Sequence, residues 1–170
     1  MIVLVIGAKG GVGTTRVALE LAQCAPRDYG RRTGAVSIDL ADGQLAAQRG
    51  QTTWALMNLA FGTGAQIQSA REMIVQQSLT LLWSIDCNLV TEPLQNNVRA
   101  VGYRCLVVID GGLEVPSGLE VVADEILIVS AEDEVARWHE RRLQQRYPHA
   151  RVLEGTRAAA QAIAAQLFVR

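Results

Sequence analysis

Short apolar runs rich in Val, Ile and Leu alternate along the chain with longer stretches whose apolar residues recur at helical spacing. Runs that are apolar at every position are typical of strands buried on both faces, as in a parallel sheet covered by helices. These runs predict strands at Ile2–Ile6, Ala35–Ile38, Leu79–Trp83, Leu106–Ile109 and Glu125–Val129, with Arg151–Leu153 as a sixth. The amphipathic stretches predict helices at Thr14–Cys24, Thr53–Phe61, Ile67–Gln77, Leu94–Val101, Val115–Val122, Val135–Arg146 and Thr156–Phe168.

The predicted fold class is therefore α/β, a three-layer sandwich with a mostly parallel central sheet. The 170 residues contain no repeat, low-complexity segment or linker, so we predict a single domain over residues 1–170. A hydrophobic content of 49% with 19% charged residues excludes a disordered chain. The three cysteines form no C-x-x-C pair, which favours free thiols in a reducing cytoplasm. The opening apolar run lacks the features of a signal peptide.

A glycine-rich loop follows the first predicted strand, where residues 7–15 read GAKGGVGTT. It fits the P-loop pattern G-x-x-x-x-G-K-[ST], in which successive backbone N–H groups surround a phosphate and a hydroxyl ligates Mg²⁺. In that alignment Ala8 stands at the first Gly, Gly13 at the second, Thr14 at the Lys and Thr15 at the hydroxyl. The loop also fits the dinucleotide-binding turn of short-chain dehydrogenases, G-x-x-x-G-x-G. The glycines alone do not separate the two patterns.

Residues outside the loop favour the P-loop. A dehydrogenase of that type needs a Tyr-x-x-x-Lys pair, and Lys9, inside the loop, is the only lysine in the chain. A dinucleotide-binding protein without catalysis remains as an alternative. The apolar run at Leu106–Ile109 ends in Asp110, as a Walker B strand does, and Asp110 would hold Mg²⁺ together with Thr15. The second strand runs into Asp39, and ligands of such sheets bind at the carboxyl ends of the strands.

Four segments, AKGGVGTTRVALELA, VSIDLADGQ, YRCLVVIDGG and ADEILIVSAEDE, together resemble the deviant Walker A ATPases of the MinD/ParA family, including the pilus-assembly CpaE/TadZ branch. The resemblance implies a P-loop NTPase fold, ATP or ADP with Mg²⁺ as cofactors, and a homodimer in the nucleotide-bound state. In that dimer the signature lysine, here Lys9, reaches the phosphates of the partner. The implied cofactor-binding residues are Lys9, Gly10, Gly11, Val12, Gly13, Thr14 and Thr15. The implied metal ligands are Thr15 and Asp110, and the implied catalytic residues are Lys9 and Asp39.

Two residues of the family pattern are replaced in this chain. The P-loop lysine is Thr14, and the second Asp of the D-x-D motif is Ala41 if Asp39 aligns with the first. A charge-assisted hydrogen bond contributes roughly 1.5–3 kcal/mol, so we expect nucleotide binding to be weakened about ten- to a hundredfold. Phosphoryl transfer depends more strongly on placed charge and a placed nucleophile, so we expect hydrolysis to be very slow or absent.

The resemblance implies a positioning, partitioning or assembly factor with an unidentified protein cargo. An interaction scaffold that keeps the fold without binding a nucleotide is the alternative. The predicted helix at Val135–Arg146 contains four arginines, Arg137, Arg141, Arg142 and Arg146. A net charge of −1 for the whole chain nevertheless does not favour DNA as a partner. The apolar face of the last predicted helix is mostly alanine, so we expect it to be buried against the protein and not in a membrane.

Overall fold

The computed structural model describes residues 1–24, 35–39, 81–84, 95, 96, 98, 99, 102, 106–113 and 118–168. Six strands and three complete helices lie in these ranges, and each confirms a predicted element. The strands are β1 (Ile2–Gly7), β2 (Ala35–Asp39), β3 (Leu81–Ser84), β4 (Leu106–Asp110), β5 (Glu125–Ser130) and β6 (Arg151–Glu154). The helices are α1 (Thr14–Cys24), α2 (Glu134–Arg146) and α3 (Arg157–Phe168).

The six strands form one sheet in the order β3-β2-β4-β1-β5-β6, and every pairing between neighbours is parallel. All six residues of β1 are buried, which explains why that run carries no polar residue. The connection from β1 to β2 crosses the sheet in one direction and the connection from β5 to β6 in the other. Because such crossovers are right-handed, α1 and α2 lie on opposite faces of the sheet, as the predicted α/β sandwich requires.

One apolar core lies between the sheet and the helix pair α1 and α3. From α3, the side chains of Ala160, Ala164 and Leu167 are buried, which confirms that the alanine-rich face packs inside the protein. The same two helices are joined by an ion pair between Arg157 Nε and Glu20 Oε1 at 2.6 Å. On the opposite face of the sheet, α2 buries only Ala136 of its own residues.

The helix predicted at Val115–Val122 is wrong for residues 118–122, which form turns. Gly118 has a φ of 113°, a conformation outside the helical region, and the Val122 N–H donates to the Leu119 carbonyl at 3.2 Å. The apolar residues have helical spacing, but the backbone at Gly118 does not continue a helix.

The other predicted helices are only partly covered by the described residues. Within Leu94–Val101, the described residues 95, 96, 98 and 99 are helical, and so is residue 102. The helices predicted at Thr53–Phe61 and Ile67–Gln77 lie outside the described residues. None of the helices in the described ranges is long and apolar enough to cross a membrane.

Candidate phosphate-binding site

The glycine-rich loop starts at the carboxyl end of the central strand β1 and is fixed to both neighbouring strands. The Gly7 N–H donates to the carbonyl of Gly112, just after β4, at 2.7 Å. The Ala8 N–H donates to the carbonyl of Val129 in β5 at 2.8 Å. At the other end of the loop, the Val17 N–H donates to the Gly13 carbonyl at 2.9 Å and begins the α1 ladder. Two short segments of sheet therefore set where the loop begins, and a helix sets where it ends.

The backbone N–H groups of residues 10–15 donate no hydrogen bond to any residue that the structure describes. Gly11 and Gly13 have φ values of 78° and 95°, a left-handed conformation that side chains disfavour. Alternation of right- and left-handed residues turns successive N–H groups toward one point and creates an anion-binding concavity. The loop also meets the N-terminus of α1, whose dipole favours negative charge. Gly11 and Gly13 therefore give the loop a backbone conformation that can accommodate an anion, and their contact with a phosphate stays a prediction.

Thr14 occupies the predicted lysine position, and its side chain is buried against the end of β1. A Cβ atom added to Gly7 would overlap the Thr14 hydroxyl oxygen, so that hydroxyl lies over the α-carbon of Gly7. The exposed fraction of Thr14 is only 9%. A side chain at position 7 would have to displace the Thr14 hydroxyl, because that hydroxyl fills the space beside the Gly7 α-carbon. Thr14 thus supplies no charge to the loop.

Asp110, the last residue of β4, is fully buried beside the loop. Its Oδ1 accepts a hydrogen bond from the Gly112 N–H at 3.2 Å, and the Thr15 side chain also bonds its carboxyl group. Its Oδ2 has no hydrogen-bond partner among the described residues. Burial raises the pKa of Asp110 above its ordinary value, although the bonds from Thr15 and Gly112 act in the opposite direction. A buried carboxyl oxygen without a donor fits a cation.

The residues present fit a magnesium ion that is completed by phosphate and water. In the described ranges, no group of three or more His, Cys, Asp and Glu residues could hold a metal alone. Mg²⁺ commonly keeps one or two protein oxygens and takes its other ligands from phosphates and water, and Thr15 with Asp110 offers such a pair. Asp39 ends β2 and is in register with Asp110 on the neighbouring strand. The backbone of Asp39 is therefore at the predicted edge of the sheet.

Lys9 forms an ion pair inside its own chain. Its Nζ lies 2.6 Å from Oδ2 of Asp133, and both side chains are about half-exposed. Asp133 is the N-cap of α2, where its Oδ1 accepts a hydrogen bond from the Ala136 N–H at 3.0 Å. The hydrogen bond from Lys9 is the main cause that lowers the pKa of Asp133, and the Ala136 N–H adds to it. In this structure Lys9 is therefore held beside the N-terminus of α2.

A cavity of about 440 Å³ opens between α2 and the carboxyl ends of β5 and β6. The lining includes Ser130, whose buried Oγ has no hydrogen-bond partner among the described residues. Val152 of β6 is 37% exposed there, because α2 brings no large apolar side chain to this part of the sheet. The other lining residues are Ala131, Glu132, Arg137, Glu140, Arg141, Leu153 and Glu154.

Two residues of this site were not among the predicted ones. Asp133 could have been found as a helix-capping residue that follows β5, the strand next to the loop. Gly112 carries the carbonyl that anchors Gly7, but nothing in the sequence distinguishes it from other glycines after a strand. Of the predicted set, Gly10 is the least constrained, since a Cβ added there would meet nothing within 4 Å.

No protein-family model matches the chain, and no curated protein sequence does either. Solved structures do match. MinD from Aquifex aeolicus, in its complex with MinC, has a TM-score of 0.60 at 18% identity over 89% of this chain. A ParA family ATPase from Chlorobium tepidum has a TM-score of 0.56 at 16% identity over 96% of this chain. A plasmid partition protein from Borrelia burgdorferi has a TM-score of 0.51 at 13% identity over 98%.

The chain shares the fold of these MinD and ParA family structures. The predicted α/β sandwich with a parallel sheet is thereby confirmed, and identities of this size establish the fold alone. The chain spans 66% of the length of the MinD chain and 79% of the ParA family chain.

Proposed function

We propose that the protein is a nucleotide-binding protein of the MinD/ParA fold that binds ATP or ADP with Mg²⁺ and hydrolyses ATP very slowly or not at all. The observation that carries the proposal is the row of N–H groups at residues 10–15, which have no acceptor among the described residues. Backbone N–H groups are nearly always paired in proteins, and those of the exposed Gly10 and Gly11 can pair with water until an anion replaces it. A phosphate at the loop would satisfy several of them at once.

Each part of the site would have a separate task. The N–H groups and the α1 N-terminus would bind the phosphates by hydrogen bonds that need no side chain. Thr15 and Asp110 would hold Mg²⁺, which when bound neutralises phosphate charge. Lys9 would contact a phosphate, its own or that of a partner chain, only after leaving Asp133. Asp39, at the end of β2, would belong to the first switch segment.

We expect weak hydrolysis because Thr14 lacks the positive charge of a lysine side chain. A lysine at this position would add a positive charge against the β- and γ-phosphates, where charge develops during phosphoryl transfer. The Thr14 hydroxyl is neutral and lies over Gly7. The loop can therefore retain a bound nucleotide while it accelerates the chemical step little. The cellular role that we propose is that of a nucleotide-gated positioning, partitioning or assembly factor, which forms a homodimer when the nucleotide is bound.

Isothermal titration calorimetry with ATP and Mg²⁺ tests the proposal. We expect saturable binding that is weakened in Lys9→Ala and that loses its dependence on Mg²⁺ in Thr15→Ala. Arg16→Ala is the matched control, because Arg16 follows Thr15 on the same helical turn but is exposed to solvent. The rate of ATP hydrolysis, measured in the same samples as the amount of ADP formed, should be barely above the buffer background.

Absence of heat at millimolar nucleotide would refute nucleotide binding and leave the interaction scaffold as the function. Equal loss of affinity in Arg16→Ala and Thr15→Ala would also count against the site, because it would show a general effect on the fold. Fast hydrolysis would refute the role given to Thr14.

A further inference from the structure

The turn between β6 and α3 lies in direct contact with the back of the glycine-rich loop. A Cβ atom added to Gly155 would overlap the Val12 carbonyl oxygen and would lie 3.1 Å from the Gly13 α-carbon. The contact is mutual, since a Cβ added to Gly13 would lie 2.6 Å from the Gly155 carbonyl oxygen. The backbone of Gly155 therefore packs directly on the backbone of Val12 and Gly13, which lie more than a hundred positions earlier in the chain.

We infer that Gly155 is a positioning residue for the glycine-rich loop and that the β6–α3 turn fixes the direction of its anion-binding N–H groups. This inference rests on the proposed phosphate site. Gly155 has no left-handed φ, so the need for glycine at this position comes from space alone. Any side chain there must displace Val12 and Gly13, the two residues in the middle of the row of N–H groups.

The β6–α3 turn is held in place by hydrogen bonds and an ion pair, as an element that supports the loop must be. Thr156 begins α3, with its Oγ1 accepting from the Ala159 N–H at 3.1 Å and its carbonyl accepting from the Ala160 N–H at 3.1 Å. One residue further, Arg157 forms its 2.6 Å ion pair with Glu20, which is buried in α1. Val12 is itself buried in the apolar core that α1, β6 and α3 share. Both sides of the contact thus belong to one packed unit.

The test compares Gly155→Ala with Ala164→Gly, which lowers the stability of α3 at a buried position away from the loop. The affinities for Mg-ATP and for inorganic tripolyphosphate are measured for both variants. We expect both affinities to fall ~10- to 100-fold in Gly155→Ala, because small displacements of a binding group are costly, and to change little in Ala164→Gly.

Amide NMR spectra of the ligand-free proteins give a readout that does not depend on nucleotide binding. Gly155→Ala should move the resonances of Val12 and Gly13 and leave those of the central strand β4 in place. Unmoved loop resonances, or equal losses of affinity in Ala164→Gly and Gly155→Ala, would overturn the inference. If the unaltered chain bound neither ligand, the proposed function would fail, and the shift of the loop resonances would still decide the role of Gly155. Should Gly155→Ala not fold, a nuclear Overhauser contact between the α-protons of Gly13 and Gly155 in the unaltered chain supports the role, and its absence refutes it.

Discussion

Lys9 and Asp133 are joined by an ion pair of 2.6 Å that connects the glycine-rich loop to the N-terminus of α2. The only lysine of the sequence thus has an anionic partner before any ligand arrives. A phosphate that recruits the ammonium group must compete with this carboxylate. The ion pair is half-exposed to solvent, so the competition is a modest one.

Asp133→Asn should raise the affinity for ATP, because it removes the competing negative charge and keeps a side chain that caps helices well. The expected gain is up to about fivefold, the range of a surface ion pair. Asp133→Ala should give the same gain but lower the melting temperature, since it also removes the cap. Calorimetry and thermal unfolding of both variants separate the two effects. Unchanged affinity in both would show that Lys9 does not act on the phosphate.

The ion pair also predicts a pH dependence of stability. The pKa of Asp133 is lowered in the folded protein, mainly by Lys9, so this group stabilises the fold above its unfolded-state pKa of about 3.8. That contribution is lost as the pH falls through the lower, folded-state pKa. Unfolding curves are measured between roughly pH 3 and pH 7, a range that includes the usual pKa of Asp. As the pH falls, the free energy of unfolding should decrease less in Asp133→Asn than in the unaltered protein. Parallel curves for the two proteins would contradict the prediction.

Asp110→Asn should make the ligand-free protein more stable at neutral pH. Burial raises the pKa of Asp110 in the folded state, so its contribution to stability is fully present below the unfolded-state pKa of about 3.8. It is lost as the pH rises through the higher, folded-state pKa. Asparagine keeps an acceptor for the Gly112 N–H and removes the buried charge, which we expect to be worth roughly 1–3 kcal/mol.

The same variant should lose the extra stability that Mg-ATP gives to the unaltered protein. Urea unfolding with and without Mg-ATP, at neutral and at acidic pH, measures both effects. A variant that is less stable than the unaltered protein at neutral pH would show that the Asp110 carboxylate is already compensated.

Thr14→Lys should tighten the binding of ATP by about ten- to a hundredfold, since it restores a charge-assisted hydrogen bond to the phosphates. Arg16→Lys is the control, because it also places a lysine on the first turn of α1 but at an exposed position. Calorimetry on both variants checks the prediction. If Thr14→Lys binds no more tightly than Arg16→Lys, position 14 does not face the phosphates.

Arg157→Ala should destabilise the protein by roughly 1–3 kcal/mol, because it leaves the buried carboxylate of Glu20 without its charged partner. Glu20→Gln in the Arg157→Ala background should restore part of the loss. A double-mutant cycle in urea isolates the energy of the pair. A coupling energy near zero would show that apolar packing alone holds α3 on α1.

The strands and the loop could be predicted from the sequence because their signals are local. A strand such as β1 is apolar at every position, and the loop is recognised from glycines that follow such a strand directly. The helix predicted at Val115–Val122 is wrong over residues 118–122, the part of it that the structure describes. The helical spacing of its apolar residues describes only the side chains. It does not reveal that the backbone of Gly118 has a left-handed φ, which interrupts a helix.

The contacts that hold the site together could not be predicted in this way. Gly155 meets Val12 and Gly13 across a long separation in sequence, and no periodicity records a contact between two backbone segments. The partner of Lys9 was missed because many carboxylates follow the strands, and only the three-dimensional structure selects Asp133. Sequence thus identifies which groups can bind a phosphate, and packing decides how they are directed.

The small number of buried residues in α2 has a consequence for the local opening of this helix. It is held by Ala136, its only buried residue, by its capping aspartate, by the ion pair between Arg146 and Glu120, and by Tyr147, which is buried just beyond its last turn. Its amide protons should therefore exchange with deuterated water well before those of α1, whose apolar side is embedded in the core that it shares with α3. An opening of α2 that starts at its N-terminus would release the lysine of the neighbouring loop without disturbing the strands.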